Sequence, residues 1–216
     1  MPATLPRSLK TLGNAKAWTR AALHLTNAPT KPLVLYGATG CGKTEGVRTL
    51  AKAMNFTLME LDGVDADDTD QLLEWIARTR VVKHLHGPVL LLLDDFESFT
   101  IDARARIVKC LTGPSQGPAK RLAPVVITCT QLRHPDMKGL SPFPSVRLFS
   151  PNQHTCTEWF ASKGFSPSWL RRHEDLLLLG DLRRLRTALD WRARTSTVGP
   201  TAAPDRSLSA NAFESS

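Results

Sequence analysis

From about residue 31 onward, short apolar runs alternate with amphipathic stretches. Val89-Leu90-Leu91-Leu92-Leu93 is apolar at every position. A strand with one wet face would alternate, so this run predicts a central strand buried on both faces. Pro124 to Cys129 reads the same way, Leu33 to Tyr36 and Phe56 to Leu61 add two strands, and Val146 to Phe149 gives a short fifth. Between them, Lys43 to Met54, Asp70 to Val82 and Ile101 to Leu111 read as helices. In the second, Leu72, Leu73 and Ile76 fall at core-facing spacing. Strand and helix in alternation predict an α/β domain with a parallel sheet.

The ends of the chain differ from this middle. Residues 1–30 read as a leading segment with one helix, Gly13 to Leu25. After Pro151 no strand pattern remains: Thr155 to Lys163, Ser168 to Leu179 and Asp181 to Arg194 all read as helices. Thr155 and Glu158 have capping-box spacing, and Gly164 and Gly180 stand at natural stops. From Thr195 the chain is rich in Ser, Thr, Ala and Pro with little to bury, which predicts a disordered tail. The expected organisation is thus a helical segment (1–30), an α/β core (31–150), a small all-helical domain (151–194) and a tail (195–216).

Composition narrows the picture modestly. With 216 residues and 42% hydrophobic content the chain can bury a full domain core. No apolar run approaches the ~20 residues of a membrane span, and the first residues contain no apolar stretch of signal-peptide type. Neither membrane association nor secretion is expected. The four cysteines, Cys41, Cys110, Cys129 and Cys156, form no C-x-x-C pair, which favours a reducing compartment such as nucleus or cytoplasm. His84 and His86 lack neighbouring ligands and read as a solvated turn. A net charge of +8 favours a polyanionic partner.

The candidate chemistry starts at Gly37-Ala38-Thr39-Gly40-Cys41-Gly42-Lys43-Thr44, a G-x-x-x-x-G-K-[ST] sequence between a predicted strand and a predicted helix. That context converts a pattern into a phosphate-binding expectation. The glycines let successive backbone N–H groups turn toward one anion, and the following helix adds the positive end of its dipole. Lys43 is expected on the β- and γ-phosphates of ATP, the Thr44 hydroxyl on Mg²⁺, and Glu45 beside them. The buried strand 89–93 ends in Asp94-Asp95. Asp94 is placed to hold the Mg²⁺-bound water and Asp95 to polarise the attacking water. Thr130, just past the fourth strand, and Arg183, on the last predicted helix, are candidates to contact the γ-phosphate. Glu97 is expected to point elsewhere.

Taken in order, these motifs resemble those of the AAA+ ATPases, and in detail the clamp loaders of the replication factor C group. Glu60-Leu61-Asp62-Gly63-Val64-Asp65 resembles that family's E-L-N-A-S-D segment. Val126 to Pro135 resembles the sensor-1 strand and loop of the large subunit, with Thr130 where the family has Asn. Gly180-Asp181-Leu182-Arg183-Arg184-Leu185 is similar to the lid helix G-D-[IL]-R-R, with Arg183 at the sensor-2 position. The resemblance spans residues 15–194 and implies a P-loop NTPase core followed by a helical lid.

It also implies function: ATP hydrolysis with Mg²⁺, double-stranded or primer-template DNA as partner, and other AAA+ subunits, because a neighbour's arginine usually completes the site. Arg104, Arg106 and Lys109 fall on the helix that tracks the duplex in that family. Three departures stand out. Asp95 replaces the usual Glu, which implies weak water activation. Ser145-Val146-Arg147-Leu148 stands where a finger motif would be, leaving Arg147 as a weak substitute. No collar sequence follows the lid, so the family's usual pentameric ring is not expected by that route. Two other readings stay open: a helicase-loader or transposition-type AAA+ regulator, and a nucleotide-dependent scaffold with negligible hydrolysis.

Overall fold

The computed structural model describes residues 5, 6, 9, 13–27, 31–63, 68–81, 87–113, 122–162, 164–185, 187 and 190. Five strands form one sheet: β1 (Leu33–Tyr36), β2 (Thr57–Leu61), β3 (Val89–Leu93), β4 (Val125–Cys129) and β5 (Ser145–Arg147). Their order is β2-β3-β4-β1-β5, and every neighbouring pair is parallel. All strand C-termini therefore share one edge, and the loop leaving β1 emerges beside the end of β4, with β3 one strand further on. That edge is where open α/β sheets place their ligands.

Helices α1 (Ala15–Thr26), α2 (Lys43–Ala53), α3 (Thr69–Val81) and α4 (Ile101–Thr112) cover both faces. Leu90 and Leu92 of β3 join Trp18 and Leu25 of α1 and Val47 and Leu50 of α2 in one core cluster. Leu91 and Leu93 join Ile76 of α3 and Ile107 of α4 in the other. Alternate residues of one strand thus fill two cores, which is why β3 carries no polar position. Leu5 and Leu9 of the leading segment are buried in the first cluster.

A third cluster, with Cys156, Phe160, Phe165, Leu170, Leu177 and Leu185, lies in the helices that follow. These are α5 (Gln153–Ser162), α6 (Pro167–Arg172) and α7 (Glu174–Leu179), with residues 182–185 helical again. Two expectations need correction. The expected capping box at Thr155 is not used: Asn152 caps α5, its Oδ1 accepting from the Thr155 N–H at 2.8 Å. The helix expected over 168–179 is two helices broken at His173, which leaves helical geometry (φ −120°, ψ 30°). Its ring stacks on Trp169 at 4.1 Å between centroids. The Leu-rich run that follows concealed the break. The loop at 114–118, His84 and His86, most of the last helix beyond Leu185 and the tail at 195–216 lie outside the described residues. Among the described residues, no helix is long and apolar enough to cross a membrane.

Candidate functional site

Residues 37–42 connect β1 to α2. Gly42 caps α2 with a left-handed backbone (φ 91°), a conformation that disfavours any residue with a Cβ. Gly40 lies against the Asp181 carboxylate, where a Cβ has no room. The Lys43 ammonium folds back over the loop, donating to the Gly37 carbonyl at 2.7 Å and the Ala38 carbonyl at 3.1 Å.

Opposite the loop stands the end of β3. The Thr44 hydroxyl lies 2.9 Å from each Asp94 carboxylate oxygen. A second hydroxyl, from Thr128 of β4, donates to Asp94 Oδ1 at 2.6 Å and accepts from the Asp95 N–H at 2.9 Å. Thr128 is 1% exposed, so it is a dedicated internal bridge between two strand ends. Hydroxyl and carboxylate oxygens form a hard donor set that fits Mg²⁺. Asp95 itself is in the left-handed region (φ 47°, ψ 60°), which Asp tolerates better than most residues. This turn leads into the 3₁₀ turn Phe96–Ser98, anchored by Phe96 and Phe99, both buried. Although Asp95 is exposed as a residue, partial burial of its carboxyl raises its pKa, helped by the charges of Glu97 and Asp94 and opposed by Lys43.

Glu97 does not line the cavity, as expected, but its side chain is bound directly beside it. Its Oε1 accepts hydrogen bonds from the N–H groups of Thr130 and Gln131, the latter at 3.3 Å. The 3₁₀ turn carries the side chain back to the end of β4, a reversal that a straight reading of the sequence cannot see. Glu97 also helps push the buried Cys129 thiol, after burial itself, up to about 12.

The helical region closes the site from the other side. The Leu182 N–H donates to the Gly40 carbonyl at 2.9 Å. Asp181 Oδ1 accepts from the N–H groups of Arg183 at 2.9 Å and Arg184 at 3.3 Å, capping the helical turn that starts there. Between loop, strand ends and lid lies a cavity of about 930 Å³, large enough for a nucleotide. Thr39, Gly40, Cys41, Gly42, Lys43, Thr44, Glu45, Asp94, Asp95, Thr130 and Arg183 all line it. Gly37 and Ala38 are not among its lining residues; they serve through the carbonyls that hold Lys43. Asn14 and Trp18 of the leading segment and Trp159 of α5 line the cavity too, and neither the residues nor the resemblance pointed to them. Thr128 did leave a signal: it is the one hydroxyl in the apolar strand Val125-Val126-Ile127-Thr128-Cys129.

The basic residues of α4 fare differently. Arg104 is only 8% exposed and turns inward, 4.0 Å from the Met137 sulfur and 3.9 Å from Asp136, so it is not the phosphate-facing residue expected. Its position on the helix, one residue after buried Ala103, sends it toward the 3₁₀ turn Pro135–Leu140. Arg106 is paired with Asp70 and Asp102, and Lys109 is exposed. Arg147 ends β5 with its guanidinium 4.7 Å from the centre of the Phe149 ring, and it does not line the cavity.

Fold and site together define a P-loop α/β NTPase domain. Residues 33–149, more than half of the chain, match the family described as ATPase family associated with various cellular activities (AAA), and the chain belongs to that family. It is 26% identical over 130 residues to the replication factor C large subunit of Methanococcus aeolicus, a match covering 58% of this chain and 26% of that protein. The large subunit of Pyrococcus abyssi is 35% identical over 65 residues, covering 30% of this chain and 14% of that protein. The matched region thus spans about a quarter or less of those relatives. The ADP form of the Aeropyrum pernix ORC2 protein superposes with a TM-score of 0.62 at 12% identity, covering 90% of this chain and 66% of that one, which speaks to the fold.

Proposed function

We propose that this protein is a Mg²⁺-dependent ATPase that acts on DNA in replication or repair, resembling the ATPase core of a clamp-loader subunit. The observation that carries the nucleotide part is the convergence of Thr44, Asp94 and Thr128 at the mouth of the loop, beside a lysine held only by backbone carbonyls. On ATP binding, Lys43 exchanges those carbonyls for the β- and γ-phosphate oxygens, and the loop N–H groups face the anion. Thr44 and Asp94 would hold Mg²⁺, whose charge, when bound, neutralises part of the negative charge on the transferring phosphoryl group. Asp95 orients water toward the γ-phosphorus, Thr130 contacts the γ-phosphate, and Arg183 brings a cation from the lid. In this reading residues 31–150 are the nucleotide-binding core and residues 151–194 the helical lid.

The DNA part is supported by the net charge of +8 and by the replication proteins to which the chain is similar. Other AAA+ subunits would supply the missing arginine. A scaffold reading with negligible turnover is favoured by one observation, the short Asp95 side chain. ATP turnover measured with and without primed duplex DNA separates the two. The ATPase account expects turnover that rises with DNA; tight ATP binding with no turnover in either condition contradicts it.

A further inference from the structure

Glu97 has two carboxylate oxygens in different surroundings. Oε1 is occupied by the Thr130 and Gln131 N–H groups at the end of β4. Oε2 is buried and has no hydrogen-bond partner. A buried acceptor without a donor is unfavourable, more so for a charged group, so its placement needs a compensating reason. Asp95 lies close by, two residues back at the start of the same 3₁₀ turn. Glu97 therefore spans two parts of the site: the segment that presents Thr130 and the segment that presents Asp95.

Resting on the ATPase reading above, we propose that Glu97 is the positioning residue of the γ-phosphate step. It fixes the end of β4 against the end of β3, so that Thr130 and Asp95 meet the γ-phosphate at one spacing. The Asp95 side chain is one methylene shorter than Glu and sits on a left-handed backbone, so its reach depends on how that turn is held. Several contacts hold it, the Ser98 hydroxyl on the Asp95 carbonyl at 2.7 Å among them. Thr128 takes the Asp95 N–H, the Ser98 N–H donates to the Asp95 carbonyl at 2.7 Å, and Glu97 ties the turn to Thr130. Glu97 is not itself among the residues that line the cavity, so it acts through its partners. A displacement of about 1 Å in a group that meets the reacting phosphate can cost about a hundredfold in rate.

The test compares the full-length chain with E97A and E97Q, measuring ATP turnover and the affinities for ADP and ATPγS with Mg²⁺. Removal of the carboxylate in E97A should lower kcat by about tenfold or more while ADP affinity changes less than about twofold. Its preference for ATPγS over ADP should fall by about threefold, because the γ-phosphate contacts loosen. In E97Q the amide oxygen still accepts from both N–H groups and the NH₂ can donate to Asp95, so both quantities should stay within about threefold of wild type. If E97A fails to fold, E97M, which keeps the volume and drops the acceptor, takes its place with the same expectation. Wild-type behaviour in E97A, or E97Q as impaired as E97A, overturns the proposal. Should the wild-type chain bind ADP without turning ATP over, the ATPγS-to-ADP ratio decides alone. A wild-type chain that binds neither nucleotide sinks the ATPase reading and this proposal with it, whereas normal nucleotide binding with an unmoved ratio sinks only the role of Glu97.

Discussion

Thr128 joins the two acidic residues of the site with a single hydroxyl, donating to Asp94 and accepting from the Asp95 N–H. Replacement by Val keeps the shape and leaves both partners without that bond in a buried place. T128V is expected to lose about 1–3 kcal/mol of stability and to lower ATP turnover, as read by urea denaturation and steady-state kinetics. A variant with unchanged kcat would mean that Asp94 and Asp95 hold their places without it. Cys41 and Cys129 make a second residue-scale case. Burial raises both thiol pKa values, that of Cys129 to about 12. A raised pKa leaves less thiolate at any pH below it, so native-state alkylation at pH 8 should be slow at both sites and become fast on denaturation. Mass-spectrometric mapping of the modified residues reads this directly. The residues of the phosphate loop and Asp94-Asp95 were legible in the sequence because their spacing and strand context are local. Glu97 and the inward turn of Arg104 were not, because each depends on where a 3₁₀ turn sends a side chain.

At the scale of elements, the leading helix α1 docks on α2 through a close approach: the Trp18 ring lies where a Cβ on Gly46 would have to go. G46A should therefore displace Trp18, which is 4% exposed and lines the cavity. Overpacking of this kind costs about 1–3 kcal/mol, and the displaced indole should also weaken nucleotide binding. Thermal melting with and without ATP measures both effects, and an unshifted melting temperature would show that α1 gives way freely. The alternation of strands and helices was legible from periodicity alone, since β3 and β4 are uniformly apolar and the helices carry core-facing spacing. The break at His173 was not, because no Pro or Gly near it marks a helix end in the residues Trp169 to Leu179.

For the whole molecule, the parallel sheet brings the ends of β1, β3 and β4 to one edge, and the helical region reaches across to that edge. Leu182 donates to the Gly40 carbonyl of the phosphate loop, so the lid and the loop touch directly. That contact sets the helical region against the loop proposed to hold the phosphates. The sequence pointed to a lid through Gly180-Asp181-Leu182-Arg183, yet the contact with Gly40 joins residues too far apart in the chain for any motif to encode. Everything proposed for this molecule rests on the cavity being a Mg²⁺–ATP site. The most direct test is calorimetric titration of ATP with Mg²⁺ into the wild-type chain and K43A, alongside ATP turnover for both. The account predicts saturable binding to wild type, a loss of about tenfold or more in affinity for K43A, and no turnover in K43A. Equal binding and equal turnover in the two proteins would contradict it.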